Sequence, residues 1–438
     1  MLGLRSRLFE TLVQKKIDYS SVFELSSRAC IMPICRAMAT NSNNIHHNNN
    51  PIEVDVETIV VGGGVLGLAV ARHLLTFSET RQKQKGSSSV VLVEAAETFG
   101  SETSSRNSEV VHAGLYYPKG SLKAEMCVRG KKMLYSYCQE KHVKYNKIGK
   151  LLVAPGENDV CVLREIEKKA NENGVNDLVR VDKKGVKSLE PEVECQAAVL
   201  SPSSGIVDSH GLMAALETDI ISEGGIVAYN SKVVGGHVSD QVKRLHVRDV
   251  GSGNVTEITA RNLVLCGGLW SQKIASSLKG LSQQYIPESH LVKGSYFGLK
   301  AGSKGPKFEH LVYPVPSGDG GLGVHATVDL SGSLRFGPDV EWLESKDPDE
   351  VDYKVDPQRA ALFEIALRKY CPALPSASLE PSYSGVRPKV VQPGSKYGDF
   401  VISTCGQHGI RGLVCTYGIE SPGLTSCLAL AEYISNRL

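Results

Sequence analysis

Three glycines, Gly62, Gly64 and Gly67, stand in GxGxxG spacing within IVVGGGVLGLAVARHLL, residues 59–75. That spacing does one kind of chemistry: it lets a pyrophosphate approach the backbone. Gly62 makes the tight turn, Gly64 admits the phosphates, and Gly67 lets the following helix lie close on the strand. The free N–H groups and positive dipole end of that helix then face the phosphates. Glu94, closing VVLVE, is suited to ribose hydroxyls. It lies 27 residues beyond Gly67, and the polar insert RQKQKGSSS accounts for the length. A β-branched strand before the glycines and apolar residues at helical spacing after them make this a strand–turn–helix unit for a dinucleotide.

Three further segments separate FAD from NAD. SETSSRNSEVVHAGLYYP, residues 101–118, offers Ser104, Ser105, Arg106 and Asn107, small or multidentate donors for a pyrophosphate and a ring system passing over this stretch. ARNLVLCGGLWSQKIA, residues 260–275, runs a buried-type strand into a second glycine turn at Gly267–Gly268. GIESPGLTSCLALAEYI, residues 418–434, reads as a helix with Ser421 at the N-cap and Pro422 at the first helical position. Ser421, Gly423, Leu424 and Thr425 would then bring a helix N-terminus to the flavin pyrimidine edge, where charge develops on reduction.

The whole chain is consistent with an enzyme of this kind. At 438 residues it exceeds one small core. A hydrophobic content of 41% with 22% charged residues is that of a globular protein, and a net charge of +2 gives no reason to invoke nucleic acid. Eleven cysteines without a CxxC pair read as reduced thiols, and no metal-ligand spacing is present. No apolar run spans a bilayer; the best, residues 58–71, is broken by glycines. The first fifty residues carry Arg5, Arg7, Lys15, Lys16, Arg28 and Arg36 ahead of the polar NSNNIHHNNN, which reads as a mitochondrial transit peptide with its linker.

The segments VVGGGVLGLAVARHL, SRNSEVVHAGLYYP, SSGIVDSHGL, LVKGSYFGL, LVYPVP, GVHATVDLSGSLRFGPD, SGVRPK and GIESPGLT together resemble the flavin-dependent amine- and hydroxy-acid oxidoreductases of the D-amino acid oxidase superfamily. RNSEVVHAGLYYP and GVHATVDLSGSLRFGPD narrow the likeness to the type that acts on 2-hydroxyglutarate. Two positions depart from the pattern: Glu109 stands where a glycine is usual, and Arg411 where a proline is frequent. The resemblance implies FAD as cofactor. It implies oxidation of L-2-hydroxyglutarate to 2-oxoglutarate by hydride transfer from C2 to flavin N5, with electrons passed to a quinone or other carrier, at a membrane surface without a membrane span. An oxidase of another amino or hydroxy acid, and a flavin-binding assembly protein without turnover, are the alternatives.

Such a reaction needs a base for the hydroxyl proton and a clamp for the carboxylates. His112 and His325 share the candidacy for base, with His408 behind them. Arg387 in SGVRPK is the first carboxylate clamp, because a guanidinium holds a carboxylate by two parallel hydrogen bonds. Lys293, Tyr116, Tyr117 and Lys389 are candidates for the second. Asp208 is assigned to capping the helix that follows it.

The fold class expected is α/β: a discontinuous Rossmann-like FAD-binding domain with a mixed, largely antiparallel β-sheet substrate domain. The FAD-binding domain comprises 55–135, 205–285 and 380–438, and the substrate domain 136–204 and 286–379.

Overall fold

A run such as Val56–Val61, six residues buried almost throughout, can only sit in a sheet covered on both faces. In the computed structural model it does. Residues 54–76, 89–316, 323–395 and 397–438 are described. The proposed transit peptide, its linker and most of the polar insert lie outside them.

Val56–Val61 pairs in parallel with Val90–Val93 on one side and Val255–Leu265 on the other. Ile226–Ala228 extends the parallel set beyond Val90–Val93, and Leu413–Tyr417 pairs in parallel with the end of Val255–Leu265. Ser231–Val238 and Lys243–Asp249 add an antiparallel meander. In Lys243–Asp249 the alternation is explicit: Leu245 and Val247 point inward, while Arg244, His246 and Arg248 point outward.

Helices Val65–Thr76 and Ser209–Ser222 pack on this sheet, Gly423–Ser435 packs on Val65–Thr76, and Leu122–Glu140 packs on Gly423–Ser435. Their apolar faces close a core of Val60, Leu68, Leu92, Leu134, Leu216, Val264 and Leu430, each without solvent exposure. Asp208 caps Ser209–Ser222 by accepting the Gly211 N–H at 2.8 Å, as its position before the helix requires.

The second large sheet runs in the order Glu341–Trp342, His290–Leu299, Leu334–Phe336, Ala326–Val328, Leu311–Pro314, Lys150–Ala154, Ala197–Ser201 and Val179–Val181. Leu379–Lys389 pairs along His290–Leu299. All these pairings are antiparallel except Leu311–Pro314 with Lys150–Ala154. A small third sheet joins Val110–Val111, Gly205–Val207 and Tyr145–Asn146.

The architecture is the mixed α/β one expected, but two sequence boundaries move. Leu379–Lys389, grouped by sequence with the cofactor side, is a strand of the second sheet. The division at residue 135 falls inside Leu122–Glu140, whose Tyr137 and Cys138 pack with the dinucleotide-side helices. Both differences have one cause: a strand or helix shows its type by periodicity but not which sheet buries it. The last helix also begins one residue late, at Gly423 with Pro422 as N-cap and no side-chain cap.

Leu430→Ala should lower the unfolding free energy by about 2–5 kcal/mol, as cavities in close-packed cores do, in reversible urea denaturation. A loss below about 1 kcal/mol would contradict its place in the shared core of sheet and helices.

Candidate functional site

The two sheets are joined by the polar segment 101–112, and the cavity lies along that seam. The Thr103 hydroxyl donates to the Val386 carbonyl at 2.8 Å, and an Arg106 Nη1 reaches the Ser384 carbonyl at 3.5 Å. Both acceptors belong to the strand Leu379–Lys389 of the second sheet. On the other side, the Ser104 hydroxyl accepts the Val65 N–H at 3.0 Å, at the start of the first helix.

The cavity measures about 530 Å³. One end is the glycine turn. Gly62 takes φ +105°, and a Cβ there would stand 2.4 Å from the Cys266 carbonyl oxygen. A Cβ on Gly67 would stand 1.9 Å from the Gly62 carbonyl oxygen. Only glycine lets strand, turn and helix close this tightly. Glu94 bridges two backbone donors, accepting from Gly63 N–H at 2.6 Å and Ala96 N–H at 2.8 Å. Burial raises its carboxyl above the usual range against the pull of those donors. Gly267, Trp270 and the Lys232 ammonium, 4.8 Å over the Trp270 ring, close the same end.

The other end carries two histidines and an arginine. His112, His325 and Arg387, from three separate segments, all line the one cavity with Ser421, Gly423 and Leu424. The His112 backbone N–H donates to Thr425 Oγ1 at 3.0 Å, which fixes it against the first turn of the last helix. Its ring touches Ser421 Oγ through Nε2 at 3.2 Å and Lys150 Nζ through Nδ1 at 3.3 Å. Burial, the Lys150 charge and His325 together hold His112 well below the usual histidine range, so it is a neutral imidazole at neutral pH. His325 is 4% exposed and stacks on Tyr313 with ring centroids 3.6 Å apart. Arg387 donates through Nη2 to the Asp339 carbonyl at 2.7 Å, which uses one of five donors.

Other sequence candidates fall elsewhere. Ser105 is exposed and absent from the cavity wall, while Arg106 and Asn107 line it. Thr425 acts on His112 from behind the wall. Tyr116 and Tyr117 are not in the wall, although the Tyr117 hydroxyl reaches Ser421. Lys293 turns away and donates to the Lys354 carbonyl at 2.6 Å. His408 accepts the Ile410 N–H at 3.2 Å, apart from the cavity. Lys389 is drawn to Glu420. Among the described residues no group of His, Cys, Asp and Glu is arranged to hold a metal ion.

Several members were missed. Tyr296 and Tyr313 line the cavity, both hydrogen-bonded to Ser108 and both kept protonated by burial. Lys150 supports His112 from a fully buried strand. Glu420, 9% exposed, accepts from Lys123 at 3.0 Å and Lys389 at 2.8 Å, which pins the loop carrying Ser421. The visible signal for Lys150 was a charge at the head of an otherwise apolar strand, GKLLVA, where a solvated strand end is the usual reading.

The residues present fit an elongated dinucleotide: a glycine turn that no side chain can enter, an acid at the second strand end, and a second glycine turn opposite. Comparison with known proteins agrees. The family model described as FAD dependent oxidoreductase matches residues 57–437. The chain is 43% identical over 412 residues to a mitochondrial L-2-hydroxyglutarate dehydrogenase of Arabidopsis thaliana, covering 87% of this chain and 83% of that protein. It is 27% identical to the L-2-hydroxyglutarate dehydrogenase of Escherichia coli K12, covering 87% and 92%. Among solved structures, L-alpha-glycerophosphate oxidase from Mycoplasma pneumoniae with FAD bound superposes with TM-score 0.74 at 22% identity, covering 87% and 94%. That last likeness is one of fold.

Two outcomes follow from this geometry. Gly67→Ala should abolish the yellow flavin absorbance of the purified protein; a variant that keeps stoichiometric FAD would contradict the tight turn. For Glu420, burial opposes ionisation, but Lys123 and Lys389 outweigh it and hold the carboxyl below 4.5. A depressed folded value gives stability that is present above 4.5 and lost as pH falls through the folded value. Glu420→Gln should therefore cost about 3–5 kcal/mol at neutral pH and flatten the acid side of the stability curve. An unchanged acid slope would remove Glu420 from that role.

Proposed function

The chain belongs to the FAD dependent oxidoreductase family, and on that premise we propose that it oxidises L-2-hydroxyglutarate to 2-oxoglutarate. The observation that carries this reading is the convergence of His112 and Arg387 at one end of the cavity whose other end is the glycine turn. The Gly62–Gly67 turn, Glu94, Arg106, Asn107, Gly267 and the loop 421–424 would hold FAD, which when bound would supply the two-electron acceptor for oxidation at C2.

The protein's own residues do the rest. Arg387 presents its remaining donors to the C1 carboxylate and fixes C2 in the cavity. His112 takes the hydroxyl proton. It is neutral at working pH, it opens to the cavity beside Ser421, and its backbone is tied to Thr425. His325, buried and stacked on Tyr313, serves as wall. The second carboxylate of a five-carbon diacid is taken by the hydroxyls of Tyr296 and Tyr313, in place of Tyr116, Tyr117 and Lys293.

Electrons then pass to a quinone or another carrier reached at a membrane surface. None of the described helices is long and apolar enough to cross a membrane. Mitochondrial location is supported by the Arg-bearing first fifty residues and by the name of the plant relative.

Steady-state kinetics with an artificial acceptor test the assignments. His112→Gln should lower kcat/KM by about 10²–10⁴, the usual worth of a general base. Arg387→Lys should raise KM about 10–100-fold, the loss of a charged hydrogen bond, with a smaller change in kcat. Full activity of His112→Gln would remove the base, and an unchanged KM in Arg387→Lys would remove the clamp.

A further inference from the structure

Lys150 heads the strand Lys150–Ala154 and is 1% exposed, yet among the described residues no carboxylate meets it. Its ammonium end is 3.3 Å from His112 Nδ1 and lies 4.0 Å over the Tyr313 ring. The groups that face it are few. His112 comes from the segment after Val110–Val111, Tyr313 from the neighbouring strand Leu311–Pro314, and Cys127 from the helix Leu122–Glu140. His325 lies beyond and acts on His112 through its charge. Burial keeps the thiol of Cys127 and the phenol of Tyr313 protonated, so neither supplies a counter-charge.

We propose that Lys150 is a positioning residue that sets which ring nitrogen of His112 offers a lone pair to the cavity. The inference rests on the reading of His112 as the base. A neutral imidazole carries one proton, and a hydrogen bond at one nitrogen fixes the state of the other. When Lys150 is an ammonium it can only donate, so Nδ1 must be the acceptor and Nε2 carries the proton. Nε2 then faces Ser421 and the cavity with no lone pair, and the base is off. When Lys150 is a neutral amine, its own lone pair accepts from Nδ1–H. Nε2 is then bare toward the cavity, Ser421 donates to it or gives way, and the base is on.

In the reaction the substrate O–H bond breaks and its proton goes to Nε2. Bound FAD would be the oxidant that takes the C2–H electron pair as C2=O forms. The Nδ1 proton then moves to Lys150 Nζ, so the positive charge left by the proton rests on the amine instead of the buried ring.

Burial brings Lys150 down from 10.5 to about 7, which places this change of state in the working range. The sign follows from the folded value lying below the unfolded one. The folded protein lacks a proton that the unfolded chain retains between about 7 and 10.5, so this group makes stability rise with pH across that window.

The test uses the holoenzyme and three variants, K150M, K150R and H112Q, each checked for bound flavin. The acid limb of kcat/KM reports the free enzyme, and it should lie near pH 7 in the native protein. K150R, which stays charged, should lose about 10²–10⁴ in kcat/KM at every pH, the full worth of the base. K150M should retain part of the activity and lose the limb near pH 7. Independently of turnover, urea unfolding of native protein and K150M should diverge with pH above 7, the ratio of their unfolding constants changing by about ten-fold per pH unit.

The proposal is overturned if K150R keeps the native profile, if K150M keeps the same acid limb, or if the two unfolding curves run parallel. Activity in H112Q would instead overturn the assignment of the base itself. Loss in H112Q with an unmoved limb in K150M defeats the Lys150 role alone.

Discussion

A ligand held by one sheet can be acted on from another only if the two keep a fixed relation, and here the segment 101–112 supplies it. Ser104 ties that segment to the first helix, Thr103 and Arg106 tie it to the strand Leu379–Lys389, and His112 ends it against Thr425 of the last helix. Each bond alone is worth about 1 kcal/mol. Their effect lies in geometry: the glycine turn, the arginine strand and the histidine are held to one frame along one cavity.

The same frame explains the electrostatics of the site. Parallel strands covered by helices exclude water, so every charge at the seam must be paired, neutralised or spread over a ring. Glu420 takes two ammonium partners. Lys150 has a tyrosine face and a neutral histidine. His112, pressed by burial and by Lys150, gives up its proton. His112 as a neutral imidazole and the Arg387 guanidinium line the same cavity, and the proposed removal of a hydroxyl proton rests on that pairing.

The sequence showed most plainly what backbone geometry requires. Gly62, Gly64 and Gly67 act through their lack of a side chain, and the spacing alone expressed this. His112, His325 and Arg387 could be picked out by chemical type within segments of recognisable pattern. Side-chain direction was not legible in the same way. Lys293 sits in a strand next to the site and turns to a backbone carbonyl behind it, whereas Lys150, in a strand read for its apolar residues, turns in. Tyr116 and Tyr117 stood near the histidine in sequence, but the tyrosines of the cavity wall are Tyr296 and Tyr313, brought by strands of the second sheet. Glu109, where a glycine is usual, takes φ 57° and accepts from Ser209 N–H at 3.1 Å, so a side-chain bond holds a conformation that glycine would adopt unaided. Local pattern reports element and turn; which face meets the ligand is decided by pairing between distant segments.

The central claim is that one cavity brings FAD, His112 and Arg387 to bear on one hydroxy diacid. The most direct measurement is the visible absorbance of the purified protein under anaerobic conditions, with L- and D-2-hydroxyglutarate added separately. The account predicts that the L form alone bleaches the flavin. Yellow protein left unbleached by either form would contradict it.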